Sequence, residues 1–148
     1  MKTRHLMTLT VDVPSVQRLG SVPHGTRVTV PIPNGHFEGE RLRGTVVRGG
    51  DWTLLRSDGV LELDLRLTLA TDSGAFIELW SIGLRHGPPD VIAALARGER
   101  VDPQAYYFRT MPRFSTAASE YVFLNRTLAI ADGERRAAQV IYTIHELL

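Results

Sequence analysis

Acidic, basic and phenolic side chains recur at alternate positions in two segments of the chain. Asp64 and Arg66 are two residues apart, and so are Tyr107 and Arg109. In an extended strand such pairs share one face, so their polar groups would lie together. These four residues are our candidate catalytic residues. Asp64 would act as the general base, Arg66 or Arg109 would hold an oxyanion or carboxylate, and Tyr107 or Asn125 would donate to a developing enolate.

A second set of residues would form the wall of a binding site. Aromatic side chains supply apolar surface and a few polar groups orient the ligand, which is typical of a small-molecule pocket. The predicted substrate-binding residues are Asp51, Trp52, Arg56, Phe123 and Asn125. Each candidate carboxylate has a structural alternative, in which an Asp–Arg pair only braces the fold.

Several classes of chemistry lack their motif in this sequence. There is no cysteine, no Gly-x-Ser-x-Gly elbow and no glycine-rich phosphate loop ahead of a helix. The histidines show no close i, i+2 or i, i+4 pair of the kind that binds metals; they are His5, His24, His36, His86 and His145. We therefore predict no metal and no cofactor.

The charge balance bears on the partners. The chain has 17 Lys and Arg residues against 16 Asp and Glu residues, a net charge of +1. A protein without excess charge lacks the long-range field that attracts nucleic acid or anionic membranes, so we expect neither partner. The first residues alternate in polarity, unlike a signal peptide, and no apolar run approaches the roughly 20 residues of a membrane helix. We expect a cytoplasmic protein.

Alternating hydrophobicity predicts about eight strands within a single domain, residues 1–148. The clearest is the strand with leucine at every second position from Leu61 to Leu69. The predicted strands are His5–Val13, Thr26–Ile32, Arg41–Arg48, Val60–Thr71, Ala75–Gly83, Tyr106–Thr110, Tyr121–Ala131 and Arg136–Glu146. The turns predicted between them contain the pairs Asn34-Gly35, Gly49-Gly50, Asp58-Gly59, Ser73-Gly74 and Asp132-Gly133.

Only one short helix is indicated. Asp90 can cap it, Val91–Arg97 is apolar and rich in alanine, and Gly98 supplies the stop. Long strands with tight turns and too few helices to cover a sheet favour an all-β fold, an antiparallel closed β-barrel.

The leucine strand leaves two arrangements open. If the leucines fill the barrel lumen, Asp64 and Arg66 face solvent as ordinary surface charges. If a helix or a partner subunit covers the leucines, the polar face lines the lumen, which must then be wet because unpaired buried charges are costly. The second arrangement would give a ligand-binding lumen and a homo-oligomer.

Several short motifs occur in a fixed order. They are Gly39–Gly44 (GERLRG), Gly49–Trp52 (GGDW), Arg56–Gly59 (RSDG), Leu63–Arg66 (LDLR), Tyr106–Thr110 (YYFRT) and Leu124–Arg126 (LNR). Together they resemble the bacterial and fungal family known as domain of unknown function three-two-three-seven, from about Thr26 to Glu146. The resemblance implies a small β-barrel that often self-associates, and it implies no settled activity. The chain departs from the family at Phe123, where Trp is usual, and at Ser115, where an acidic residue is usual, which argues against a catalytic carboxylate there.

These observations lead to one principal hypothesis. The protein would be a cofactor-independent isomerase, cyclase or lyase that transfers a proton on a hydrophobic cyclic or aromatic small molecule in a polar barrel lumen. The alternative is a barrel that binds or carries such a molecule without changing it. A third possibility is a purely structural subunit of an oligomer.

Overall fold

In the computed structural model, which describes residues 1–148, ten strands form one antiparallel sheet. The strands are β1 (Thr3–Asp12), β2 (Gln17–Val22), β3 (Gly25–Ile32), β4 (Gly35–Glu38), β5 (Arg43–Leu55), β6 (Leu61–Thr71), β7 (Phe76–His86), β8 (Tyr107–Ser115), β9 (Ala129–Arg135) and β10 (Gln139–Leu147). The helical elements are α1 (Pro89–Ala96) and the 3-10 segments η1 (Pro103–Ala105) and η2 (Ser119–Arg126). None of these helices is long and apolar enough to cross a membrane.

Eight of the strands close into a barrel. The ring runs β5-β4-β1-β10-β9-β8-β7-β6, and β6 pairs back onto β5. This confirms the predicted closed antiparallel β-barrel. The first half of β5 pairs with β4 and its second half pairs with β3, which in turn pairs with β2. Strands β2 and β3 therefore extend the sheet beyond the ring.

The leucines of β6 fill the barrel. Leu63, Leu65, Leu67 and Leu69 are all buried in the main hydrophobic core, while Arg66 between them is exposed. The arrangement with leucines in the lumen is therefore the one that the protein adopts. A lumen lined by the opposite face of β6 would need an outside cover for these leucines, and here they pack inside the barrel against buried side chains of the other strands.

Helical segments cover the two ends of the barrel. Helix α1 joins β7 to β8 at one end, and its Leu95 belongs to the core. Segment η2 joins β8 to β9 at the other end, where Tyr121 and Leu124 are buried. Beside η2, the buried Glu146 carboxylate accepts from Arg4 Nε at 2.7 Å and also pairs with Arg41.

Three details of the predicted elements are wrong. The segment predicted as the strand Tyr121–Ala131 forms η2, and the strand begins only at Ala129. The predicted turns at Gly49-Gly50 and Asp132-Gly133 lie inside β5 and β9, while neither β2 nor β4 was predicted. These glycines serve close packing instead of turns. A Cβ on Gly133 would lie 2.5 Å from the ring of Phe108.

The single short helix was predicted nearly in place. It begins at Pro89 with Pro88 as its N-cap, so Asp90 stands in the first turn and does not cap. Gly98 follows the helix with a φ of +77°, the left-handed conformation expected of the stop residue.

Candidate functional site

The interior is not uniformly apolar. At the end where α1 connects β7 to β8, the strands direct polar side chains into the barrel. We call this set the polar end; it consists of Asp51, Arg85, Tyr106, Arg135 and Tyr142. The strand period explains their inward direction, since residues two apart share a face.

Asp51 is the acidic group of the polar end. It lies on β5 opposite Leu65 of β6 and is 6% exposed. Its Oδ1 accepts a hydrogen bond from the backbone N of Asp64 at 2.9 Å, which fixes the carboxyl group against the sheet. Burial raises the pKa of Asp51 to about 7, although that hydrogen bond and the charge of Arg85 act in the opposite direction. Asp51 can thus exist in both protonation states near neutral pH.

Two guanidinium groups share this end. Arg85 is partly buried between exposed Leu84 and His86, and its guanidinium carbon lies 5.9 Å from the ring centroid of Phe108. It donates no hydrogen bond to a protein acceptor. Arg135 donates one long hydrogen bond, 3.4 Å, to the carbonyl of Gln139. Burial lowers the pKa of both arginines, yet an arginine remains charged in proteins.

Two tyrosines complete the polar end. The hydroxyl of Tyr106 accepts from the backbone N of Arg135 at 2.9 Å. The ring of Tyr142 meets Phe108 edge to face, with centroids 5.7 Å apart, and burial raises the pKa of its hydroxyl. The hydroxyl of Tyr142 has no hydrogen-bond partner in the protein.

Several polar groups inside the barrel have no hydrogen-bond partner in the protein. Ser81 Oγ is one of them and is fully buried. The Tyr142 hydroxyl, Asp51 Oδ2 and the Arg85 guanidinium also lack protein partners, although Asp51 and Tyr142 are only 6% and 3% exposed. An acid–base group, a cation and a hydroxyl are thus left without partners in an otherwise apolar barrel, which is an arrangement suited to a small polar ligand.

Two of the predicted site residues form an ion pair on the outer wall of the barrel. Asp64 Oδ1 accepts from Arg66 Nε at 3.2 Å and from Trp80 Nε1 at 3.0 Å. The Asp64 and Arg66 side chains are 37% and 62% exposed. Trp52 also faces outward, and Arg56 pairs with Asp58 in the following turn.

The other predicted catalytic pair lies in an outer groove. Arg109 Nε is 2.9 Å from Asp132 Oδ1, and its guanidinium stands 5.4 Å from the Tyr107 ring. Tyr107 in turn stacks on His86 with centroids 4.8 Å apart. The groove has a volume of about 470 Å³ and an apolar wall that includes Met111. Arg109 is neutralised by its exposed partner, so this groove holds no unpaired charge.

Phe123 and Asn125 lie in η2 and not on a strand. Phe123 supports the guanidinium of Arg41 at 4.4 Å. Asn125 Oδ1 accepts from the backbone N of Thr116 at 2.8 Å, and its Nδ2 donates to the Thr116 carbonyl at 2.9 Å. Both hydrogen bonds hold η2 against the end of β8.

The predicted polar lumen is therefore wrong, because the leucine face of β6 fills the barrel. Asp64, Arg66, Tyr107 and Arg109 are not in the lumen, because on each strand the opposite, apolar face is the buried one. Asn125 is not there either, since it lies exposed in η2. Of the predicted site residues, the structure places Asp51 alone at the polar end.

Four polar-end residues escaped the sequence analysis: Arg85, Tyr106, Arg135 and Tyr142. A signal for one of them was present, because Arg85 continues the alternation of the buried residues Ile77, Leu79 and Ser81 along β7. No group of three or more His, Asp or Glu residues is placed to hold a metal ion.

Relatives of the chain are found over its whole length. The family model described as "Protein of unknown function (DUF3237)" matches residues 1–147. The chain is 34% identical to the UPF0311 protein RPA1785 of Rhodopseudomonas palustris over 149 residues, covering 100% of this chain and 97% of that protein. It is also 34% identical to the UPF0311 protein CA_C3321 of Clostridium acetobutylicum over 142 residues, covering 95% of this chain and 89% of that protein.

Solved structures share the barrel. The crystal structure of RPA1785, a conserved protein of unknown function, has a TM-score of 0.96 at 34% identity and covers 99% of this chain and 97% of that one. A beta-barrel like protein from Acinetobacter baumannii has a TM-score of 0.86 at 37% identity, with 99% and 96% covered. An enzyme from Penicillium herquei has the same fold, with a TM-score of 0.71 at 15% identity and 97% and 93% covered. By its match over residues 1–147, the chain belongs to the DUF3237 family of proteins of unknown function.

Proposed function

We propose that the protein is a cofactor-independent enzyme that transfers a proton on a small molecule bound at the polar end of the barrel. The observation that carries the proposal is the Asp51 carboxyl group, which is buried and has a pKa raised to about 7. It shares the interior with the Arg85 guanidinium, which donates no hydrogen bond to any protein group. A general base is most effective when its pKa lies near the working pH. The substrate would be hydrophobic and cyclic or aromatic, with a carbonyl or hydroxyl group.

The chemistry follows from the positions of three groups. Asp51 Oδ2 removes a proton from carbon or from a hydroxyl, and negative charge develops on a substrate oxygen. Arg85 and the Tyr142 hydroxyl are the donors available to stabilise that oxygen. Return of the proton to another atom gives an isomerase, loss of a leaving group gives a lyase, and attack of the oxygen within the same molecule gives a cyclase. Supporting this, the Penicillium herquei neighbour is called an enzyme, so the fold can serve catalysis.

A carrier would use the same site without moving a proton. Its support is the unpaired Arg85 guanidinium, which can hold a ligand whether or not Asp51 reacts. The two functions differ in what Asp51→Asn does. In an enzyme this variant loses turnover and keeps ligand affinity within about tenfold, since the amide retains the size of the carboxyl group and its acceptor oxygen.

A generic proton-abstraction assay tests the proposal without knowledge of the natural substrate. The probe is 5-nitrobenzisoxazole: a base removes its ring C–H proton, the N–O bond breaks, and 2-cyano-4-nitrophenolate forms and absorbs visible light. We expect the wild type to accelerate this reaction with a half-maximal rate near pH 7, and Asp51→Asn to lose about 100-fold or more.

The matched control is Asp64→Asn, which removes a carboxylate from the outer wall next to Asp51. It should keep the wild-type rate within about twofold. Equal rates for the wild type and Asp51→Asn, with the latter folded by circular dichroism, would remove Asp51 from the role of base.

A further inference from the structure

The charges of the polar end do not cancel. Arg85 and Arg135 bring two positive charges into the barrel, and Asp51 brings at most one negative charge. Of the other carboxylates, Glu134 is paired with Arg136 at 2.9 Å, and Glu146 lies at the opposite end and pairs with Arg4. An arginine keeps its positive charge at ordinary pH, so the excess cannot be removed by loss of a proton.

Geometry rules out a compensating partner within the protein. Arg85 approaches Phe108 at 5.9 Å, an aromatic ring and not an anion. Arg135 has only the carbonyl of Gln139 at 3.4 Å. By contrast, Arg109 on the outer wall is paired with a carboxylate 2.9 Å away. Partly desolvated guanidiniums without an acceptor are costly, whereas one held against an oxygen anion forms strong charge-assisted hydrogen bonds.

We propose that the ligand of the polar end carries one anionic oxygen group, a carboxylate or a phenolate, bound by the guanidinium groups of Arg85 and Arg135. This inference rests on the site proposed above and names the class of its ligand. One negative charge on the ligand, together with ionised Asp51, balances the two arginines. The rings of Phe108 and Tyr142 beside Arg85 and Arg135 suit a cyclic or aromatic body attached to that anion.

Three probes of the same shape and different charge test the inference. They are benzoate, benzamide and benzamidine, which are anionic, neutral and cationic. Binding to the wild type is measured by calorimetry and by amide shifts of Gly133 and Tyr142 in NMR spectra. We expect benzoate to bind at least about tenfold more tightly than benzamide, and benzamidine to bind more weakly than either. A fourth probe, 2-cyano-4-nitrophenolate, shows whether the site prefers a phenolate or a carboxylate.

Substitutions locate the effect. Arg85→Gln should abolish the preference for benzoate over benzamide, and Arg135→Gln should reduce it, so the result does not depend on one variant folding. The matched control is Arg109→Gln, which removes a guanidinium from the outer groove and should retain the preference. Tighter binding of 2-cyano-4-nitrophenolate than of benzoate would identify a phenolate ligand, and the reverse a carboxylate.

The inference and the proposed function can fail separately. Equal binding of benzoate and benzamide to the wild type, no benzoate binding at millimolar concentration, or a preference that survives in Arg85→Gln would overturn the anion inference. None of these results affects the reaction of 5-nitrobenzisoxazole, which is neutral. Conversely, a protein that prefers benzoate, but whose reaction with 5-nitrobenzisoxazole does not depend on Asp51, would be a carrier of anionic molecules and not an enzyme.

Discussion

Asp51 combines a fixed position with an unfavourable environment. The hydrogen bond from the Asp64 backbone holds Oδ1, and burial makes the negative charge of the same group costly. A carboxyl group can be pre-positioned in this way only if the folded state tolerates the cost. Holding this carboxyl group in the interior therefore lowers the stability of the barrel, by an amount that depends on pH.

The first residue-scale prediction is the pH dependence of stability. The pKa of Asp51 is raised from 3.8 to about 7 on folding, so the folded state binds the proton more tightly than the unfolded state. The free energy of unfolding should fall as pH rises from about 4 to about 7, by up to about 4 kcal/mol, and level off above that. Asp51→Asn should lack this decline. Urea denaturation of both proteins between pH 4 and 8 measures it, and a constant difference between them would contradict the raised pKa.

The polar end was only partly predictable from sequence. Asp51 was found because it lies in a recognisable motif, GGDW, within the chain. Arg85 and Arg135 were missed because the predicted strands stop at Gly83 and Ala131, two and four residues short of them. Strand ends have the weakest sequence signal, since alternation needs neighbours on both sides. Arg85 does continue the inward alternation of β7, and it was missed because the predicted strand ended before it.

Among the elements, η2 is attached by its buried side chains and by the hydrogen bonds of one amide side chain. Asn125 makes two hydrogen bonds to the backbone of Thr116 and thereby closes the apolar end of the barrel. Asn125→Ala should lower the free energy of unfolding by about 1–3 kcal/mol, because a backbone donor and acceptor lose their partner. Chemical denaturation measures the loss. Arg126→Ala, an exposed neighbour in the same segment, is the control, and a similar small loss in both variants would deny Asn125 its role.

The strands of the barrel were largely predictable, and the error at η2 has a physical cause. In Tyr121–Ala131 the polar and apolar residues alternate as in a strand, yet Tyr121 and Leu124 also have the spacing of three residues per turn. The strand pattern and the helical pattern therefore fit the same residues. The hydrogen bonds between Asn125 and Thr116 favour the helical conformation, and they join two parts of the fold that a local pattern does not connect.

At the scale of the whole molecule, the outer wall presents an apolar surface. Ile82 and Met111 face each other across β7 and β8 and are 42% and 55% exposed, and Ile130 of β9 is 43% exposed. The leucines of β6 do not require a partner subunit, so the original reason for expecting a homo-oligomer is gone. We propose that this surface, and not the leucine face, is where copies of the chain associate.

The association has a direct test. Light scattering across a concentration series should give a mass of at least twice the 16.5 kDa of one chain. Met111→Lys should shift the protein toward the monomer, because a charge in the contact would be desolvated. Thr45→Lys, on the exposed face of β5, adds the same charge elsewhere and should not. A wild-type monomer at every concentration would exclude this mode of association.

The barrel is closed by β1 and β10, the first and last strands. Their contact joins parts of the chain that are far apart in sequence; the Gln139 side chain, for example, donates to Asp12 across 127 residues. The ring cannot form until both strands have emerged from the ribosome, so closure must wait for the synthesis of β10. A search over such long separations is slow, on a scale of milliseconds to seconds. During that interval both closing strands present open edges, and crowding of nascent chains would favour intermolecular pairing over closure.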